Sequence, residues 1–348
     1  MHVFLYEFFS GGGVWSLEQP VGPVASLLRE GAAMTAALAE DLLRVPGVRV
    51  IILRDTRLSK WSPPGCQVRN IADAVAELRQ FTRLAAQSDW TIVIAPELEG
   101  ALLTRCRQAE AAGGRLLGPG SETVALASDK QRTAAFLAKA GIPTPPRLPW
   151  PAEEPSPGGL AFPAVLKPRM GAGSLGVRLI QNAGELPSSL DGNAWRLERW
   201  CSGRAASVSW IAGGSAMMLL EPCFQRISED GQFRYLGGAA PLPEPLRARA
   251  RELAERVANC LPPTRGYLGM DVVLSDDKPD GDVVIEINPR LTTSYLGLRK
   301  IAQVNLAEAM LAAAEGRDFE LRFSREPVEF GSGDEMQFGK RGQDSFLD

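Results

Sequence analysis

Two carboxylates and an amide are spaced so that they could hold a hard metal ion. Gly269-Met270-Asp271-Val272-Val273-Leu274 and Val283-Val284-Ile285-Glu286-Ile287-Asn288 are β-rich runs separated by a polar stretch, 275–282. A hairpin symmetric about Lys278-Pro279 would set Asp271 opposite Glu286, and the two-residue period of a strand places Asn288 on the face of Glu286. Acids opposed across a ladder repel unless a cation lies between them. Oxygen donors without imidazole or thiolate suit Mg²⁺ or Mn²⁺ shared with substrate phosphates. Arg290 follows two residues later and would add a fixed cation where a transferring phosphoryl group needs one. The ordinary alternative is two acids on a solvated sheet face.

A second group could handle polyphosphate. Gly171-Ala172-Gly173-Ser174-Leu175-Gly176 matches G-x-G-x-x-G, but Val177-Arg178-Leu179-Ile180 follows as another β-rich run. A dinucleotide fingerprint must open a helix, so this loop is a strand–turn–strand flap. Gly171, Gly173 and Gly176 would let backbone N–H groups approach phosphate around Ser174, with Lys167 adding charge just upstream. A glycine-rich hairpin beside a surface lysine would carry the same residues. The only histidine is His2. Ser-His-Asp and Cys-His hydrolases, H-E-x-x-H zinc enzymes and histidine general bases are thereby excluded, leaving carboxylates, Lys, Arg and a metal.

These residues need elements to position them. In the first third, Val3–Tyr6, Val50–Leu53, Thr91–Ile94 and Arg115–Leu117 are expected as strands, alternating with helices around Ala33–Leu43, Ala72–Ala86 and Leu102–Ala112. That alternation implies a parallel sheet. Ser128-Asp129-Lys130-Gln131 fits a capping box with Ser128 as N-cap, opening a helix that Gly141 stops. An extended Ile142–Pro146 connector follows, then a proline-rich stretch and a strand at Ala164–Lys167. Beyond it the pattern is antiparallel. Ala206–Ala212 and Ser215–Leu220 flank a Gly213-Gly214 turn, a helix spans Glu244–Cys260, and after the metal hairpin one helix runs from about Leu298 to Ala314. The polar tail 331–348 is expected to be mobile.

Composition bounds the partners. At 348 residues, 45% hydrophobic and 23% charged, the chain is globular with room for two or three domains. A net charge of -3 gives no general reason to bind nucleic acid or an anionic membrane. The apolar start, Met1–Glu7, has no basic region before it and is expected as a strand rather than a signal peptide. No apolar run reaches the ~18 residues of a membrane span. Cys66, Cys106, Cys201, Cys223 and Cys260 form no C-x-x-C pair, the pattern of reduced, mostly buried thiols in a cytoplasmic protein.

Taken in order, Lys130, Lys167 before the glycine loop, Leu197-Glu198-Arg199-Trp200, and the Asp271, Glu286, Asn288 set resemble the ATP-grasp superfamily over nearly the whole chain. Glu286-Ile287-Asn288-Pro289-Arg290 is the most specific piece. The resemblance implies an α/β fold, α+β in its C-terminal part. Its divisions would be a Rossmann-like pre-ATP-grasp domain at 1–125, a small subdomain with the glycine-rich loop at 126–200, a C-terminal subdomain with the metal site at 201–330, and the tail. It also implies ATP with Mg²⁺ or Mn²⁺, Lys130 and Lys167 on the phosphates, Glu198, Arg199, Trp200 and Cys201 along the adenine, and Lys167 and Arg290 as catalytic groups. Lys130 equally suits a helix's first turn, Glu198 a solvated surface, and Trp200 and Cys201 simple packing. One departure is Gly203-Arg204-Ala205-Ala206-Ser207, which lacks the glutamate that the family often places near 205 to hold the ribose.

Within the superfamily the chain is similar to the tyramine–glutamate ligases of methanofuran-type cofactor synthesis. The matching pieces are Glu7 to Gly13, Leu28-Arg29-Glu30-Gly31 with Met34, Tyr235-Leu236-Gly237-Gly238, and Asn288 to Tyr295. This similarity implies Glu7, Gly12, Arg226, Thr293 and Tyr295 as substrate residues, although turns and packing use the same residue types. The implied reaction phosphorylates a carboxylate with ATP and passes the acyl group to an amine. The partners are then a small-molecule acid and amine, with no nucleic acid and no membrane, and a homodimer is left open. Another amino-acid or peptide ligase, or a nucleotide-binding regulatory protein without turnover, would share these motifs.

Overall fold

A computed structural model describes residues 1–17, 24–58, 61–148, 161–187, 191–214, 216–276 and 281–332. The turn apex at Lys278-Pro279 and all but the first two residues of the 331–348 tail lie outside them.

The N-terminal part is a four-stranded parallel sheet in the order β3-β2-β1-β4. Its strands are β1 (His2–Glu7), β2 (Arg49–Asp55), β3 (Gln67–Ile71) and β4 (Trp90–Ile94). The apolar runs of β1, β2 and β4 are buried, as parallel strands covered by helices require. The helices are α1 (Val24–Leu43), α2 (Ala74–Gln87) and α3 (Ala101–Ala111). β3, which the sequence reading missed, is a largely polar edge strand. The expected strand at Arg115–Leu117 reduces to a single parallel bridge between Leu116 and Thr91.

Two short helices, α4 (Ser121–Ala127) and α5 (Lys130–Lys139), lead to the second half. The expected capping box is corrected by one residue. Asp129 is the N-cap of α5, accepting from the backbone N–H groups of Gln131 and Arg132. Asp129 also receives Arg169, whereas the buried Ser128 hydroxyl finds no partner among the described residues. Gly141, at φ 69°, ends the helix as expected.

A three-stranded sheet, β6-β5-β7, comprises β5 (Ala164–Pro168), β6 (Arg178–Ile180) and β7 (Trp195–Arg199). Its pairs are antiparallel, so the glycine loop joins two strands and opens no helix. A seven-stranded sheet carries the rest: β8 (Arg204–Gly214), β9 (Ala216–Leu219), β10 (Cys223–Ile227), β11 (Tyr235–Ala240), β12 (Thr264–Leu274), β13 (Val283–Asn288) and β14 (Val328–Phe330). The order is β13-β12-β8-β10-β11-β14, with β9 also on β8. Gly213 pairs with Ala216 and so belongs to the ladder rather than to the expected Gly213-Gly214 turn.

α6 (Leu246–Cys260) packs on this sheet through Leu253, Ala254 and Val257. The single helix expected over 298–314 is two, α7 (Ser294–Ile301) and α8 (Leu306–Ala314). Asn305 starts α8 afresh by accepting from the Ala307 and Glu308 N–H groups. α7 binds back to α1: Tyr295 donates to Asp41 at 2.7 Å, and Arg299 donates to the same carboxylate at 2.6 and 2.8 Å. All five cysteines are free thiols. Among the described residues no helix is long and apolar enough to cross a membrane.

Candidate active site

A cleft runs between the three-stranded sheet and the β12–β13 hairpin, roofed by the glycine flap. It encloses about 1030 Å³ including its open side, at the top of the ~300–1,000 Å³ range of small-molecule sites. Lys130, Lys167, Gly171, Gly173, Ser174, Glu198, Arg199, Trp200, Cys201, Asp271 and Glu286 all line it. Gly176 closes the flap one residue before the lining Val177.

The hairpin register is as expected, Asp271 opposite Glu286, with a bulge immediately after that pair. Asn288 donates from Nδ2 to one Asp271 oxygen at 3.0 Å, and Gln225 from Nε2 to the other at 2.7 Å. Burial, reinforced by the charge of Glu286, pushes the Asp271 carboxyl up to about 7 against those hydrogen bonds. Glu286 moves the other way. Burial would raise it, but the charges of Lys130 and Lys167 outweigh that and hold it low. Lys130 lies 3.1 Å from Glu286 and donates to the Gly171 carbonyl at 2.8 Å, tying the acid face to the flap. Lys167 is buried in an ion pair with Glu198, which also accepts from Arg196 at 2.7 Å. Glu198 is therefore no surface acid.

The flap is fastened on two sides. Ser174 donates to the Phe233 carbonyl at 2.7 Å, and the Phe233 ring stacks on Trp200 with centroids 5.4 Å apart. Gly173, at φ 63°, lies so close to α1 that a β-carbon there would come within 2.8 Å of Leu27.

Family models match in the same order. A pre-ATP-grasp domain matches residues 48–124 and an ATP-grasp domain matches 127–294. This chain belongs to the ATP-grasp superfamily. Tyramine–L-glutamate ligases are similar to it along most of both lengths. That of Methanocaldococcus fervens is 26% identical over 306 residues, covering 87% of this chain and 93% of its own. That of Methanocaldococcus jannaschii is 25% identical over 303 residues, covering 86% and 88%. A solved ATP-grasp superfamily protein from Archaeoglobus fulgidus superposes with a TM-score of 0.68 at 23% identity, over 91% of this chain and 89% of that one.

The acid face of this ATP-grasp cleft fits a hard divalent ion. Two carboxylates and an amide present only hard donors, and a cation would offset both the burial and the Glu286 charge that raise Asp271. Mg²⁺ held by so few protein ligands would complete its shell with phosphate oxygens and water. Ala205, where the ribose glutamate is missing, lines the same cleft.

Arg290 lies beyond the flap. Its Nε and Nη2 each donate at 3.0 Å to the two oxygens of Glu97, on the loop after β4. Neither Glu97 nor Gln225 was found from sequence. Each reaches its partner only through the fold, and no local pattern marks either. Arg290 also lines a second, smaller cavity with Glu7, Phe9, Leu27 and Met34. Glu7 accepts from the Phe9 and Ser10 N–H groups at 3.0 and 2.7 Å and from the Ser10 hydroxyl at 2.6 Å. Burial nonetheless raises its carboxyl to about 7.

The other four implied substrate residues reach neither cavity. Gly12 forms a turn against Ile71, Arg226 pairs with Glu329 at the surface, and Thr293 precedes α7. Tyr295 is buried with its hydroxyl on Asp41.

Proposed function

We propose that this ATP-grasp protein is an ATP-dependent carboxylate–amine ligase that joins glutamate, through its side-chain carboxylate, to tyramine or a relative such as tyrosine, as in methanofuran-type cofactor synthesis. One observation carries the reading: a single cleft gathers Lys130, Lys167, the glycine flap and the Asp271–Glu286 pair, and a second cavity, which Arg290 lines, shares Ala172 and Gly173 with it. The similarity to ligases along most of both chains points the same way.

In this reading Asp271, Glu286 and Asn288 would hold Mg²⁺, which would supply positive charge against that of the ATP phosphates. Lys130 and Lys167 neutralise the phosphates, and Glu198 to Cys201 line the base. The substrate carboxylate attacks the γ-phosphorus, the bond to the β,γ-bridging oxygen breaks and ADP leaves, while Arg290, aimed by Glu97, offsets the developing charge. The flap keeps water from the acylphosphate until the amine displaces phosphate and the amide forms. The divisions at 1–125, 126–200 and 201–330 belong to the same proposal.

The test is ADP release by the purified protein with Mg-ATP, L-glutamate and a panel of amines including tyramine and tyrosine, with products weighed by mass spectrometry. ADP formed in step with a glutamyl amide supports the proposal. ATP binding without ADP for any acid–amine pair contradicts it.

A further inference from the structure

The ladder around β8 divides the floor of the larger cleft into rungs. β12 sets Asp271 against Ser207 and Val273 against Ala205, while β10 sets Cys223 against Ser207 and Phe224 against Ala206. Gln225 therefore continues β10 beside Ala205. Ala206, Val208 and Trp210 point into the core under α6, with Phe224 packed against that core. The alternate positions Ala205 and Gln225 turn the other way, to the cleft that both line.

The rung of Ala205 stands about 7 Å from that of Asp271, two residues along the strand. In the other direction the chain leads from Ala205 back through Gly203 to Cys201, which lines the cleft with Trp200. This rung thus lies between the acid face, where phosphates would be held, and the segment proposed for the base. The sugar of a bound nucleotide has to cross it.

Ala205, Val273, Ile227 and Phe233 line the cleft there without a hydrogen-bonding side-chain group. Gln225 differs. Its Nε2 donates to Asp271 at 2.7 Å, and because an ionised carboxylate only accepts, the amide must turn its carbonyl off that acid. No described residue donates to this Oε1. The carboxylates of the cleft are already engaged, Asp271 by Gln225 and Asn288, Glu286 by Lys130, and Glu198 by Lys167 and Arg196. Gln225 thus brings a fixed and uncommitted acceptor to the span where sugar hydroxyls would need one.

We infer that Gln225 holds the ribose of the nucleotide, its Oε1 accepting from a ribose hydroxyl while its Nε2 stays on Asp271. The inference rests on the reading that this cleft binds ATP, and it is independent of which acid and amine are joined. One side chain then ties the sugar to the proposed metal face.

The experiment is calorimetry in Mg²⁺ with ADP, 2′-deoxy-ADP and 3′-deoxy-ADP, which needs no turnover. The parent should bind at least one of the deoxy nucleotides ~10-fold more weakly than ADP, the effect of one such hydrogen bond. Gln225→Met keeps the length of the side chain without its acceptor and should bind all three alike, within ~2-fold. Adding Ala205→Glu to that variant returns an acceptor to the same rung and should restore a preference for ADP of ~10-fold. A side chain that only orients Asp271 would change Mg²⁺ affinity and leave the ratio between nucleotides intact, so discrimination that persists in Gln225→Met would overturn the inference. A parent that binds the three nucleotides alike would overturn it too, as would a double variant that regains no preference. No binding of ADP by the parent would instead remove the nucleotide reading of the cleft, and the inference with it.

Discussion

Asp271 and Glu286 face each other across the β12–β13 ladder while Lys130 sits 3.1 Å from the latter, so one carboxylate is held ionised by lysine and the other strains against its neighbour. Replacing Glu286 by glutamine removes a proposed metal ligand and also that repulsion. Mg-dependent turnover should fall by ~10³-fold or more, with a Tm within a few degrees of the parent. Near-normal activity would remove Glu286 from the metal site. In the proposed reaction Glu97 acts through Arg290, which it holds at 3.0 Å on two nitrogens. A glutamine there breaks the paired geometry, and misplacement of a catalytic group by ~1 Å costs up to ~100-fold. Glu97→Gln should therefore lower kcat by ~10- to 100-fold with little change in the KM for ATP, a split that stopped-flow and steady-state assays resolve. An unchanged kcat would make Glu97 a structural partner only.

At the scale of elements, the same distinction explains what the sequence disclosed. β12 and β13 were legible because apolar alternation with a polar turn fixes a register, and the register fixes Asp271 against Glu286. The flap was legible because glycines between two β-rich runs cannot open a helix. β3 was not, because Gln67-Val68-Arg69-Asn70 lies at a sheet edge and lacks a buried face. The break between α7 and α8 was hidden because Asn305 caps within an otherwise helical apolar pattern. Start sites were legible only to within a residue: Ser128 and Asp129 are both good caps, and Arg169 decides for the acid. Burial would raise the Asp129 carboxyl, but Arg169 and the helix N–H groups outweigh it and hold it low. Its stabilisation is thus present above the ordinary aspartate range and lost as pH falls through the depressed folded value. Asp129→Ala should cost ~1–2 kcal/mol near pH 7 and progressively less as pH falls below the ordinary aspartate range, as urea titrations at pH 7 and at about pH 3 would reveal. An equal deficit at both would contradict the ionic account.

The whole molecule depends on holding the N-terminal sheet against the catalytic half. Glu97 and Arg290 make one such contact, Leu27 against Gly173 another, and the α1–α7 clamp a third. In that clamp Asp41 accepts from Tyr295 and twice from Arg299, and its backbone carbonyl accepts from Asn305. Asp41→Ala leaves the buried Tyr295 phenol without its partner and the Arg299 guanidinium with Glu40 alone, costing ~2–4 kcal/mol. Calorimetry should show a Tm lower by at least ~4 °C. No shift would mean that the two halves are held by apolar packing alone. The central claim, that this assembled cleft activates a carboxylate by γ-phosphoryl transfer, is tested most directly by isotope tracing. L-Glutamate labelled with ¹⁸O in its side-chain carboxylate, turned over with Mg-ATP and tyramine, should deliver one ¹⁸O into inorganic phosphate for each amide formed. Label found in AMP, or amide formed with unlabelled phosphate, would contradict it.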